Sequence, residues 1–327
     1  MQPEPPMRLV VLMPVRDDWP AALELIRRLD VVLSASACTA EILMVDDGSL
    51  QRCGAQDLQM PFAAIRDIRV LRLRRNLGHQ RAIAVGLAYL QETGGYDLVL
   101  VMDSDGEDTP EGVKDLLRAY GAQPGSAVFA ARSRRSESLR FRLFYHLYRG
   151  LHKALTGISV RAGNFSILPF HYLSTLTAMS ELWNHYAAAV FRSKLPYSMI
   201  PIARGKRISG KSGMNFVALV SHGLSAISVF GDIVGARLLL ASLVGFFVAA
   251  AGIIAVVGIR IFTNLAIPGW ATYATGILAI IIIQLFTAAA TFTFFVLSSR
   301  ANVGFIPIRD YSIFVEEITG IYSHERV

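Results

Sequence analysis

Asp103, Asp105 and Glu107 stand at alternate positions directly after an apolar run that ends at Met102. An unbroken apolar run of this kind suits a strand buried on both faces of a parallel sheet. If the extended chain continues past the run, alternate side chains share one side, and three carboxylates there repel unless a cation sits among them. Hard divalent cations take oxygen ligands and leave room for phosphate oxygens. The C-terminal ends of strands are also where open α/β sheets bind ligands. The expected site is therefore Mg²⁺ or Mn²⁺ on Asp103, Asp105 and Glu107, holding a diphosphate. The competing reading is a solvated acidic turn, because Asp, Gly and Pro are ordinary turn residues. A second apolar run, 40–45, ends in Asp46-Asp47-Gly48-Ser49. Two neighbouring parallel strands that both end in acids make one acidic rim, whose carboxylates can accept from a base N–H or from ribose hydroxyls. Asp-Gly on its own is again a common turn pair.

A basic stretch complements the acids. Gly205-Lys206-Arg207-Ile208-Ser209-Gly210-Lys211-Ser212 fits the phosphate-loop pattern GxxxxGK[ST]. A true phosphate-loop NTPase needs an acidic strand to hold Mg²⁺ and carries its loop early in the chain; here an amphipathic helix and two long apolar stretches follow. A glycine-rich backbone with Arg204, Lys206, Arg207 and Lys211 still makes a phosphate cradle. Its place just before the apolar stretches suits an acceptor lipid phosphate, or closure over a donor. The plainer alternative is contact with anionic headgroups.

The elements that position these residues alternate. Strands are expected at 8–15, 40–45, 68–73, 97–102, 127–131 and 197–202, and helices at 21–33, 81–91, 110–120 and 180–191. Strand–helix alternation means βαβ units and a mostly parallel sheet, an α/β fold. Residues 139–155 mix Arg140, Arg142, Arg149 and Lys153 with aromatic and leucine residues at helical spacing, which suits a helix in the membrane interface or an ordinary amphipathic packing helix.

The chain has 327 residues, a net charge of +7 and 53% hydrophobic residues. The apolar excess is concentrated late: no residue is charged from Leu238 to Ile259, nor from Ile261 to Ser299. About 20 apolar residues cross a bilayer core, so two spans are expected. The resulting division is a catalytic domain at 1–213, an amphipathic juxtamembrane helix at 214–235, spans at 236–260 and 271–299, and a cytoplasmic tail at 300–327. Residues 1–6 lack the basic and apolar regions of a signal peptide. Arg237 and Arg300 flank the pair on the domain side. The catalytic domain is therefore expected in the cytoplasm, at the inner (plasma) membrane. Basicity beside an anionic leaflet is ordinary, and no basic helix or aromatic–basic array points to nucleic acid. Cys38 and Cys53 are expected as free thiols in a reducing compartment. A homo-oligomer is expected, because two thin spans present much helix surface to lipid.

Pro14-Val15-Arg16-Asp17-Asp18, Val45-Asp46-Asp47-Gly48-Ser49, Arg75-Asn76-Leu77-Gly78-His79-Gln80 and the run from Asp103 to Glu111 occur in the order and spacing of family 2 glycosyltransferases with the GT-A fold. With two C-terminal spans, the chain resembles the polyprenyl-phosphate glycosyltransferases, the group that includes dolichol-phosphate mannose synthase and GtrB enzymes. The resemblance implies a nucleotide-sugar site of Pro14, Val15, Asp18, Asp46, Asp47, Gly78, Arg81, Asp103, Ser104 and Asp105. It places the metal on Asp103, Asp105 and Glu107, and gives Asp103, Asp105 and Arg132 the catalytic roles. Arg132, Arg134, Arg140, Arg204 and Lys211 would bind the acceptor phosphate. It also implies inverting transfer from a nucleotide-sugar to undecaprenyl phosphate, with UDP-glucose the first donor and GDP-mannose the second; a non-catalytic membrane scaffold is the contrasting reading. The chain departs from the pattern in three places. Asp17-Asp18 replaces the usual Asn-Glu, and Glu107 stands where Gln is common. Asn164-Phe165-Ser166-Ile167-Leu168 follows Gly163 where relatives carry Asp-Phe-Arg-Leu-Met.

Overall fold

β1 (Met7–Val15) is apolar on both sides because both sides are covered. Its odd-numbered residues Leu9, Val11 and Met13 pack under α1 (Trp19–Ser34). Its even-numbered Val10 and Leu12 pack against α2 (His79–Thr93). In the computed structural model, which describes residues 7–36, 38–54, 61–132, 150, 152–157, 162–209, 216–263, 267, 269–301 and 304–324, this strand is flanked by β2 (Cys38–Asp46) and β4 (Leu98–Val101), both parallel to it. β3 (Ile65–Leu73) extends the parallel set beyond β2. On the other side come β5 (Ala127–Arg132), β6 (Ala162–Pro169) and β7 (Tyr197–Ile202). With β8 (Val315–Ser323) the sheet has eight strands in the order β7-β5-β6-β4-β1-β2-β3-β8.

β6 runs antiparallel to both β4 and β5, and β8 runs antiparallel to β3. Neither strand is visible as an apolar run in the sequence. β8 comes from the segment read as a tail, and it is fastened by side chains as well as by its ladder. Phe62 N–H donates to Tyr322 Oη at 3.1 Å, and the two rings meet edge to face with centroids 4.9 Å apart. Trp183 lies 3.8 Å from Phe305 and 5.2 Å from Phe314, ring centre to ring centre.

α3 (Pro110–Ala122) starts where the sequence says it should: Thr109 caps it by accepting from Gly112 N–H at 3.1 Å, with Pro110 and Glu111 in the first turn. The stretch 180–191, read as one helix, is two elements. After a short helix α4 (Tyr172–Leu176), a 3₁₀ turn covers Ser180–Trp183 and α5 covers Tyr186–Arg192. His185 makes the break, its extended backbone ending one element while its ring accepts from Ala188 N–H at 3.3 Å.

Contacts divide the chain into two units. The first comprises Met1–Phe141, Val160–Val229 and Gly304–Val327 and holds the whole sheet and α6 (Phe216–Ser228). The second comprises Arg142–Ser159 and Phe230–Val303. Its main elements are α7 (Gly231–Phe262) and α8 (Trp270–Ala301), each of 32 residues. At 1.5 Å per residue either is long enough to cross a bilayer, and both are apolar enough. They form an antiparallel hairpin with close backbone approach. A Cβ on Gly245 would lie 3.0 Å from Leu285, and one on Gly252 would lie 3.1 Å from Leu278.

Candidate active site at the strand ends

The strand β4 stops at Val101, and the acids that follow lie in a tight turn rather than an extended chain. Ser104 Oγ donates to Pro14 O at 2.9 Å, which ties the turn to the end of β1. Asp108 accepts from Asp103 N–H at 2.8 Å, and Asp105 accepts from Glu107 N–H at 2.8 Å. Gly106 has φ +86°, and a Cβ there would meet Ile208 Cγ1 at 2.4 Å. A turn does not keep alternate side chains on one side, so the geometry inferred from spacing is corrected. Among the described residues no three His, Cys, Asp or Glu side chains converge as a metal-binding group. Instead the three acids fan out toward three cations: Asp103 to His79 (3.1 Å), Asp105 to Arg207 (2.6 Å), and Glu107 to Arg204.

The donor set still suits a hard divalent cation. Asp105 is 8% exposed. Burial first, and then the charge of Asp103, push its pKa up to about 6. Crowded carboxylates with oxygen-only ligand atoms are what such an ion relieves. Beside them, Arg204 Nη1 and Arg207 Nε are buried and have no hydrogen-bond partner among the described residues, as donors awaiting an anionic oxygen would be. A cavity of about 30 Å³ lies here, lined by Asp103, Glu107, Asp108, Asn164, Ala203 and Arg204 among others.

The second half of the rim comes from the end of β2, which is not adjacent to β4 as the sequence suggested: β1 runs between them. Asp46 is buried at the end of β2 and accepts from Ser49 N–H at 2.8 Å, with Arg72 at 3.6 Å. Asp47 accepts from Leu77 N–H at 2.6 Å and Gly78 N–H at 2.9 Å. Burial raises its pKa, against the pull of those two N–H groups. The turn is tight: Gly48 has φ +72°, and a Cβ there would sit 2.8 Å from Asn76 N. Asp47 thus braces the loop that leads into α2, while Asp46 braces its own turn, and Gly78 opens that helix with φ +93°.

His79, Gln80 and Asn164 were not singled out by spacing, yet they form the floor of the site. Tyr186 N–H donates to Gln80 Oε1 at 2.8 Å, which fixes the amide. Gln80 Nε2 then donates to Asn164 Oδ1 at 3.0 Å, so Asn164 Nδ2 faces His79 Nε2 at 2.9 Å. That nitrogen also faces Asp103. With the proton on Nδ1 it accepts from Asn164; in the protonated ring it donates to Asp103. Burial works against protonation of His79, but Asp103, Asp47 and Asp105 together leave its pKa raised. The signal in the sequence was His79-Gln80 directly after Gly78, at the first turn of a helix leaving the rim.

Residues 203–209 lie across the acidic turn. Gly205 N–H donates to Glu107 O at 2.8 Å and Ile208 N–H to Asp105 O at 2.9 Å. Arg207 Nη1 donates to Asp18 at 3.1 Å while its Nη2 holds Asp105. This single guanidinium, one of the four cations of the expected phosphate cradle, joins the start of α1 to the acidic turn. Other expected residues fall elsewhere. Pro14 and Val15 are buried at the end of β1. Arg81 lies over the Trp183 ring, 5.2 Å from its centre. Arg132 closes β5, but its side chain, like Arg134, Arg140 and Lys211, lies outside the described residues. Cys38 and Cys53 are both free thiols.

A mostly parallel sheet with an acidic rim at the ends of its central strands defines a GT-A type glycosyltransferase. The chain belongs to glycosyl transferase family 2, whose profile matches residues 10–177. It is similar to an uncharacterized glycosyltransferase, YkcC, of Bacillus subtilis strain 168, with 23% identity over 80% of either chain. It is 27% identical to the undecaprenyl-phosphate 4-deoxy-4-formamido-L-arabinose transferase of Edwardsiella ictaluri strain 93-146, over 68% of this chain and 71% of that one. Among solved structures, it resembles glucosyl-3-phosphoglycerate synthase from Mycobacterium tuberculosis in complex with Mn²⁺, UDP-glucose and phosphoglyceric acid. That likeness has a TM-score of 0.49 and 16% identity, and it covers 70% of this chain and 80% of that one.

Proposed function

We propose that the enzyme transfers a sugar, with inversion, from a nucleoside-diphosphate sugar to polyprenyl phosphate at the cytoplasmic face of the inner membrane. The observation that carries this reading is the pairing, in one chain, of a crowded carboxylate rim at the ends of β4 and β2 with two helices of bilayer length. The undecaprenyl-phosphate sugar transferase among its relatives supports the lipid acceptor. Asp103 and Asp105 would hold Mg²⁺ or Mn²⁺, with Glu107 as a further contact; when bound, the ion would screen the charge growing on the diphosphate leaving group.

The chain's own residues do the rest. Asp46, Asp47, Gly48 and Gly78 form a rigid rim beside which the nucleotide lies. Arg204 and Arg207 have donor atoms to spare for phosphate oxygens. The attacking group is a phosphate monoester, whose second pKa is near 6, so it is already largely dianionic and needs no strong general base. Its oxygen forms a bond to the anomeric carbon as the bond to the diphosphate breaks. Catalysis is then mostly positioning and electrostatic screening.

The test uses the purified full chain in detergent, undecaprenyl phosphate, and radiolabelled nucleotide-sugars with Mn²⁺ or with EDTA. UDP-glucose heads the panel, followed by GDP-mannose and UDP-pentoses. The reading predicts lipid-extractable label from one donor, abolished by EDTA. Label that stays water-soluble with every donor, or transfer indifferent to EDTA, overturns it.

A further inference from the structure

The strap 203–208 carries more contacts than a phosphate-binding loop requires. Two backbone hydrogen bonds fasten it to the acidic turn. Both surfaces are glycine-tight: a Cβ on Gly205 would lie 2.7 Å from Gly106 O, and one on Gly106 would lie 2.4 Å from Ile208 Cγ1. Arg204 and Arg207 then sit on Glu107 and Asp105, two carboxylates assigned above to the metal. Arg207 reaches Asp18 as well. Its side chain is 23% exposed and that of Asp105 is 11% exposed, so the pair is largely out of water, where an ion pair is not screened away. One carboxylate oxygen of Asp105 accepts from Glu107 N–H and the other from Arg207. A metal ion that takes the second oxygen competes with the guanidinium for the same carboxylate charge.

We propose that Arg207 is a built-in counter-ion: it neutralises Asp105 and Asp18 until a divalent cation takes Asp105, and the freed guanidinium then passes to the donor's diphosphate. The strap is thus a device that exchanges one cation for another, so that metal binding and closure over the donor are a single linked event. The proposal rests on Asp105 being a metal ligand. It predicts opposite signs for two affinities. Loss of Arg207 removes a competitor from the metal site, but it also removes a phosphate-binding group.

The test measures Mn²⁺ binding by the full chain in detergent, after EDTA stripping, through the EPR signal of free Mn²⁺. Arg207→Ala should bind Mn²⁺ alone about tenfold more tightly than the parent chain. With Mn²⁺ saturating, its affinity for whichever of UDP and GDP the parent binds better should be about tenfold weaker. A purely structural role would shift both affinities in the same direction. Asp105→Asn supplies the control. If it keeps full Mn²⁺ affinity, the metal assignment fails and the exchange fails with it. If it loses Mn²⁺ while Arg207→Ala binds Mn²⁺ no more tightly than the parent, the metal assignment stands and the exchange alone is refuted.

A second readout follows the strap itself. A nitroxide is placed on Lys206→Cys in a Cys53→Ser background. Burial pushes the Cys38 thiol up to about 11, so it stays unlabelled. Diamagnetic Mg²⁺ should raise the label's mobility in the parent chain. In Arg207→Ala the label should be mobile from the start. A spectrum that Mg²⁺ leaves unchanged overturns the exchange.

Discussion

Replacing Asp105 with Asn should stabilise the metal-free protein while abolishing its response to metal. Asp105 is 8% exposed, and its pKa is pushed up to about 6 from an ordinary 3.8. At one pKa unit per 1.36 kcal/mol, holding it ionised in the folded chain at pH 7.5 costs about 3 kcal/mol relative to the unfolded chain. That figure already includes the attraction of Arg207. Asn keeps an acceptor for Glu107 N–H, and the loss of the Arg207 ion pair is already counted in that figure. The net expectation is a gain of up to about 3 kcal/mol, or several degrees in Tm. The sign depends on pH. Between pH 4 and 6 the folded state holds a proton that the unfolded chain has released, so parent stability falls as pH rises through that window. The advantage of the variant should therefore fade below pH 4. Mn²⁺ at about a hundredfold its Kd should stabilise the parent by about 2.7 kcal/mol and the variant by nothing. Intrinsic-fluorescence melts in EDTA and in Mn²⁺ at several pH values measure all of this. A variant less stable than the parent in EDTA at pH 7.5, or equally stabilised by Mn²⁺, refutes the account of a crowded metal-ligating carboxylate.

Substitutions at three further positions test the scaffold around the site. Asn164→Ala strands Gln80 Nε2 and removes the amide facing His79, and should lower stability by about 1–3 kcal/mol in thermal melts; an unchanged Tm would show that the relay is not holding β6 to α2. Gly48→Ala combines a left-handed backbone with a Cβ 2.8 Å from Asn76 N; about 1–3 kcal/mol of strain is expected, together with weaker nucleotide binding in calorimetry, because the Asp47–Gly78 loop must move. Tyr322→Phe leaves Phe62 N–H without its acceptor and should cost about 1 kcal/mol, whereas Tyr322→Ala also opens the core and should cost about 3–5 kcal/mol; equal effects from the two would mean that the ring contributes nothing to holding β8.

Most of the strands that the sequence revealed are buried on both faces: β1, β2, β4 and β5 are mostly apolar because helices cover the sheet above and below. β3 and β7 were legible too, though neither is buried throughout. β6 escaped notice for a physical reason. It carries Asn164 and Ser166, buried polar residues whose partners, Gln80, His79 and Tyr186, lie 20 to 85 positions away. Without those partners a polar pair reads as loop. β8 escaped for the opposite reason. It is an edge strand with a mostly exposed pattern, and its Glu316 and Glu317 pair with Arg52 and Arg72 of the neighbouring segments. Charges on an edge are how sheets avoid pairing with other chains, and they erase the alternation that would betray a strand. The two long apolar helices were legible because length and the absence of charge need no partner to interpret.

The acids of the site were legible and their arrangement was not, because a carboxylate's orientation follows its counter-charge rather than its position in the run. Asp103, Asp105 and Glu107 turn to His79, Arg207 and Arg204, which enter from two different loops. The same logic explains the departure at Asn164, where relatives carry an acid. Asn164 Nδ2 lies 2.9 Å from His79 Nε2, and Asp103 lies 3.1 Å from the same nitrogen. An aspartate there would add a further carboxylate to a corner where Asp103, Asp47 and Asp105 already hold the pKa of His79 up. An amide instead, oriented by Gln80, which Tyr186 N–H locks, presents Asn164 Nδ2 to the ring as a donor at no cost in charge. Asn164→Asp should then raise the pKa of His79 further, since a new negative charge within hydrogen-bonding distance favours the imidazolium. The ¹H–¹⁵N chemical shifts of the His79 ring, followed against pH in the EDTA-stripped protein, report this directly. An unchanged or lowered midpoint would show that His79 does not sense position 164, and that the amide relay is not what orients it.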